Sequence, residues 1–166
     1  MMRILLDADA SIKLTKIGII ETFASCFEVI LTSEVYGEHV IAGLKRNYPD
    51  ALEMEKLVSG GKVLISSATG DNSLVDDFRL GRGEKSVIDY YHRDGAIDLI
   101  ISDDAAFLKV LDRFEVPFSP VAGVILMCII HGLIGKEKGL AYLELLKPMI
   151  KDEHVFYIRS KIEGLL

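Results

Sequence analysis

Six carboxylates stand where apolar runs end or helices begin. Asp7 and Asp9 follow Arg3-Ile4-Leu5-Leu6; Asp103 and Asp104 follow the run from Ile97 to Ile101 and its terminal Ser102. Glu38 lies in the first turns of a segment after a second apolar run, and Glu84 comes directly after Gly81-Arg82-Gly83. Carboxylates gathered in one place repel. A pair about 4 Å apart costs ~1 kcal/mol in water and ~4 kcal/mol at an effective dielectric near 20. A cluster therefore demands protons or cations. Hard oxygen donors of this type suit Mg2+ or Mn2+ better than zinc. Taken singly, Glu84 is an ordinary helix-start acid complementing the dipole, and Glu38 an ordinary solvated side chain.

The elements that must position these groups follow from the apolar pattern. Arg3–Leu6, Glu28–Leu31, Lys62–Ser66 and Ile97–Ile101 read as buried strands, with a last short strand at Val116–Phe118. Between and after them, helices are expected over Ala10–Phe23, from Thr32 or Ser33 as N-cap, over Ala51–Val58 closed by Gly60-Gly61, and over Glu84–Arg93 stopped by Asp94-Gly95. Further helices are expected over Ala105–Arg113, Val121–His131, Lys136–Met149 and Asp152–Ile162. Ser67 to Asp71 reads as a polar loop. Strands alternating with helices predict a single α/β domain spanning residues 1–166, three-layered, with a central, mainly parallel sheet. Ligands of such sheets bind at the carboxyl ends of the strands, where Asp7, Asp103 and Asp104 fall.

Four segments in order resemble the acidic motifs of the PIN domain. They are Leu5-Leu6-Asp7-Ala8-Asp9 with Ile12, Val35-Tyr36-Gly37-Glu38, Leu80-Gly81-Arg82-Gly83-Glu84, and Ile101-Ser102-Asp103-Asp104-Ala105-Ala106-Phe107. The stretch from Val116 to Leu126, with Gly132-Leu133-Ile134 after it, is similar to the tail of a prokaryotic PIN branch. The resemblance implies a PIN-like fold and a metal-dependent endoribonuclease. Asp7, Glu38, Glu84 and Asp104 would be its catalytic acids, and Mg2+ or Mn2+ would be held by Asp7, Glu84 and Asp104, with Asp103 as a further ligand. Asp104 is preferred to Asp103 because Phe107 then falls at the family's apolar position. Ser102 would hydrogen-bond near the first carboxylate, and Arg82 and Lys13 would face the RNA. Asp9 departs from the small polar residue many members carry. Members of this branch resemble VapC-type toxins, which implies RNA as substrate, a homodimer, and a small antitoxin as partner.

Composition bounds these readings. The chain has 166 residues, enough for one core without disulfides, and Cys26 and Cys128 read as reduced thiols in a reducing compartment. No signal peptide is evident, and the apolar stretch from Val121 to Gly135 is shorter than the ~20 residues a membrane span needs, so a cytoplasmic protein is expected. The net charge of −6 runs against the usual profile of a nucleic-acid binder. Asp7-Ala8-Asp9 also fits a haloacid-dehalogenase-type phosphatase with Asp7 as nucleophile, although that reading leaves Gly83-Glu84 unexplained. A non-catalytic module that binds RNA or a protein partner is the third reading. His39, His92, His131 and His154 share no ligand spacing, and His131 reads as a core or interface residue.

Overall fold

A computed structural model describes residues 1–66 and 78–165. The expected loop from Ser67 to Asp71 lies outside the described residues. Five parallel strands form one sheet in the order β3-β2-β1-β4-β5. They are β1 (Arg3–Leu6), β2 (Glu28–Thr32), β3 (Val63–Ser66), β4 (Leu99–Ile101) and β5 (Phe118–Ser119). In register, Leu5 pairs with Ile30 on one side and Ile100 on the other. The central strands are apolar on both faces: Ile4, Leu5, Leu6, Val29, Leu31, Ile100 and Ile101 are fully buried. That is the pattern of a sheet covered by helices above and below.

The chain runs outward from β1 through β2 to β3, then returns to β1's other side for β4 and β5. Right-handed crossovers place α1 (Ala8–Lys16), α2 (Ile20–Ala24) and the β2-to-β3 helices on one face. They place α6 (Arg82–Asp94) and α7 (Ala105–Arg113) on the other. The three-layer arrangement is as expected. Between β1 and β4 the connections leave in opposite directions, which opens a crevice at the carboxyl ends of those two strands. Asp7 sits at one lip of this crevice, and Asp103 and Asp104 at the other.

Several boundaries differ from the sequence reading, each for a local reason. The helix expected over residues 10–23 is two helices, because Gly18 at φ +76° turns the chain between them. The strand expected from Ile97 begins at Leu99. Asp98 donates its N–H to Arg3 O at 2.9 Å, and its carboxylate accepts the Arg3 N–H at 2.7 Å. The last strand starts at Phe118 and not at Val116, since Pro117 offers only its carbonyl, to Ile100 N–H at 3.0 Å. The segment after β2 is α3 (Ser33–Tyr36), a π-helical turn (Gly37–Ile41) and α4 (Ala42–Lys45), capped at its start by Thr32. α5 (Pro49–Ser59) opens with a proline at its first position. After β5 come α8 (Gly123–Ile130), α9 (Lys136–Leu146), a 3-10 turn (Lys147–Met149) where Pro148 stops α9, and α10 (Asp152–Gly164). His131 is exposed at the end of α8, edge-on to Phe27 at 4.9 Å, and is not a core residue.

Candidate active site

Asp7 ends β1 and caps α1. Its N–H donates to Ile101 O of β4 at 3.2 Å, and its Oδ1 accepts the Ala10 N–H at 2.7 Å. Only 4% of the residue is exposed. Burial pushes its carboxyl up to about 6; Asp9 and Asp103 add to the rise, while the Ser102 hydroxyl and the Ala10 amide hold it back. Asp104 caps α7 in the same manner, its Oδ1 accepting the Phe107 N–H at 2.8 Å. Ser102, fully buried, accepts the Asp104 N–H on Oγ at 3.1 Å, so one hydroxyl connects both lips of the crevice.

Glu38 and Glu84 meet at the start of α6. Glu84 is the third residue of that helix and folds back to accept the Gly81 N–H at 2.9 Å. Glu38, from the π turn, accepts the Gly83 N–H on Oε1 at 3.0 Å. A Cβ on Gly83 would lie 2.7 Å from Glu38 Oε2, so only glycine admits this approach. Burial raises the Glu84 carboxyl, the Gly81 amide opposes, and Asp104 and Glu38 raise it further. Glu84 thus senses acids from two other segments of the chain.

These groups line one cleft of about 400 Å³: Asp7, Asp9, Glu38, Glu84, Asp103 and Asp104, with Lys13 and Lys151 at its side. Each of Asp7, Glu38, Glu84 and Asp104 uses one oxygen on a backbone amide. Among the described residues, Lys13, Arg82 and Lys151 form no ion pair with any of the four. Lys13 instead joins Asp9 and, at 3.0 Å, Asp103 Oδ2. Asp103 also accepts the Val121 N–H on Oδ1 at 2.9 Å, so both its oxygens are engaged within the fold. Arg82 faces an adjoining cavity that shares Glu38 as a wall.

Among the described residues, no three acidic, histidine or cysteine side chains stand close enough to hold a metal ion as they are. The donor set nevertheless fits a hard divalent cation: it is all oxygen, and Glu38 and Asp104 are exposed, each with one oxygen not engaged by the amide it accepts from.

The sequence model of the PIN domain matches residues 3–163. The chain belongs to the PIN-domain family. PIN domains have a nuclease-type fold; they are generally hydrolases and generally use divalent metals. No curated protein matches this chain. Membership of the PIN family sets aside the haloacid-dehalogenase-type alternative, and it agrees with the four acids lying at one crevice. No described helix of this PIN domain is long and apolar enough to cross a membrane. Sequence reasoning missed Lys151, which reaches the cleft from the start of α10, and the buried residues Ser11, His39 and Asp50 behind Glu38. Ser11 and His39 carried one available signal, the polar type of each within an otherwise apolar helix face.

Proposed function

We propose that this PIN domain is a divalent-metal-dependent ribonuclease that hydrolyses RNA phosphodiester bonds in the acidic cleft between β1 and β4. The supporting observation is Asp7, a carboxylate 4% exposed and pushed up to about 6, in a cleft whose other walls carry Glu38, Glu84 and Asp104. Burying a carboxylate is costly unless it is compensated. A chain that needed only packing there would carry an apolar residue.

Asp7, Glu38, Glu84 and Asp104 would hold the ion, and the chemistry expected from it is Lewis-acid activation of water and stabilisation of the leaving oxygen. Asp7 presents its carboxylate from the floor of the cleft, oriented by the Ala10 amide and the Ser102 hydroxyl. Glu38 and Glu84 are both anchored on the first amides of α6, so they approach from one wall. Lys13 bridges Asp9 and Asp103, offsets one of their two charges, and so lowers the repulsion a phosphodiester meets on that side. The cleft is open to solvent, which favours single-stranded or looped RNA as substrate.

The test is cleavage of a single-stranded RNA by the purified chain with Mn2+, beside a small phosphate monoester as control. RNA cleavage that a chelator abolishes is expected, with no phosphate released from the monoester. Asp7→Asn and Glu84→Gln are each expected to lower the rate by about 100-fold or more. Calorimetry that detects no Mn2+ binding would point to a non-catalytic module. The proposal extends to a toxin restrained by a small antitoxin. There, expression is expected to arrest growth and Asp7→Ala to relieve the arrest.

A further inference from the structure

Behind the wall that carries Glu38 lies a buried hydrogen-bonded chain that the proposed chemistry does not use. Ser11 on α1, His39 in the π turn and Asp50 at the start of α5 are 0, 1 and 8% exposed. Ser11 Oγ lies 2.7 Å from His39 Nδ1, and His39 Nε2 lies 3.2 Å from Asp50 Oδ2. The residue types are those of a nucleophilic triad, but Ser11 has no accessible surface, so no substrate reaches its hydroxyl. A carboxylate only accepts hydrogen bonds. Nε2 therefore carries the proton toward Asp50, and Nδ1 accepts from the Ser11 hydroxyl.

Each link of the chain belongs to a different element. Thr15 Oγ1 donates to Ser11 O at 2.7 Å and continues it along α1. α4 and α5 close tightly enough to bring Asp50 to the ring because Gly43 lacks a side chain; a Cβ there would stand 2.6 Å from Ala51 Cβ.

His39 directly follows Glu38. A π turn carries one more residue than an α turn, and such turns, rare overall, occur frequently at functional sites. In this turn His39 and Val40 face the interior while Glu38 stays exposed and reaches Gly83. Removing the extra residue would rotate one half of the helix by about 100° against the other. α3 and α4, on the two sides of the turn, could not then both keep their present packing.

We infer that Ser11, His39 and Asp50 form a positioning device: they pin the π turn and so hold the Glu38 carboxylate against the Gly83 N–H at the cleft wall. Only its consequence for metal binding rests on the nuclease reading. The positional claim is tested on the metal-free full chain. Amide hydrogen exchange is followed by NMR at Gly83, with Lys85, whose amide bonds Gly81 O at 2.9 Å in the same helix, as reference. The variants are Ser11→Ala and His39→Gln.

In both variants the Gly83 amide is expected to exchange about tenfold faster while Lys85 keeps its parental rate. Mn2+ binding by calorimetry is expected to weaken about five- to tenfold, and to weaken no further when Ser11→Ala is combined with Glu38→Gln than in Glu38→Gln alone. An unchanged Gly83 amide in Ser11→Ala, equal acceleration of Gly83 and Lys85, or full additivity with Glu38→Gln would each overturn the inference. Should His39→Gln fail to fold, Ser11→Ala, the smaller deletion, decides alone. A parent chain that binds no Mn2+ while Gly83 responds as expected would remove the nuclease reading and leave the positioning device standing.

Discussion

Asp7 stores free energy that its pH dependence reveals. Its carboxyl titrates at about 6 in the fold against 3.8 for an exposed aspartate. Between these values the folded chain binds more protons than the unfolded one, so stability falls as pH rises from about 4 to 6 and levels off above. At 1.36 kcal/mol per pH unit the loss is roughly 2–3 kcal/mol. Asp7→Asn is therefore expected to be more stable than the parent at pH 8 without metal and no more stable below pH 4, as read by denaturant titration. Gly83→Ala acts at the same scale. Its Cβ meets the end of a flexible side chain, so Glu38 gives way and stability is expected to change by less than ~1 kcal/mol, whereas Mn2+ affinity should fall at least ~10-fold. Asp7 was legible in the sequence because it directly follows an apolar strand, and Asp104 was singled out from Asp103 by the family's apolar position at Phe107. Asp103 was legible as an acid, but its engagement by Lys13 and Val121 was not, since those partners lie 90 and 18 residues away.

Between elements, the pair that decides the site's width is α3 and α6. Thr32 Oγ1 caps α3 by accepting the Val35 N–H at 3.2 Å and lies 2.6 Å from Ser86 Oγ on α6. Thr32→Val keeps the shape but removes the cap and one of the two hydrogen bonds of the Ser86 hydroxyl, which still donates to Gly83 O at 2.6 Å. It is expected to cost about 1–2 kcal/mol and to lower Tm by roughly 2–6 °C in calorimetry. The parallel sheet was legible because apolar strands of four or five residues alternate with longer amphipathic stretches. The π turn was not: reading the segment at 3.6 residues per turn assumes a uniform helix. Exposed Glu38 before buried His39 and Val40 is a pattern a regular helix also shows, so nothing in these residue types marked the extra residue. The break at Gly18 escaped for a similar reason, because Ile17, Ile19 and Ile20 continue the apolar pattern across it.

For the whole molecule, the clustered acids are expected to make ion binding a stabilising event. Mn2+ at about 100 times its Kd is expected to add ~2.7 kcal/mol, seen as a rise in Tm that a chelator reverses. The rise should be larger at pH 8 than at pH 5, because Asp7 must shed its proton to bind. A final consequence follows from the strand order. β1 is made first yet lies at the centre of the sheet, flanked by β2 and by β4, and Asp7 is secured to Ile101. Until residues near 101 have been released from the ribosome, the first acid is held by its own helix, through the Ala10 N–H, and not yet by Ile101 or Ser102. Under the proposed activity, a growing polypeptide carries no finished cutting centre until β4 and the acids that follow it have been synthesised.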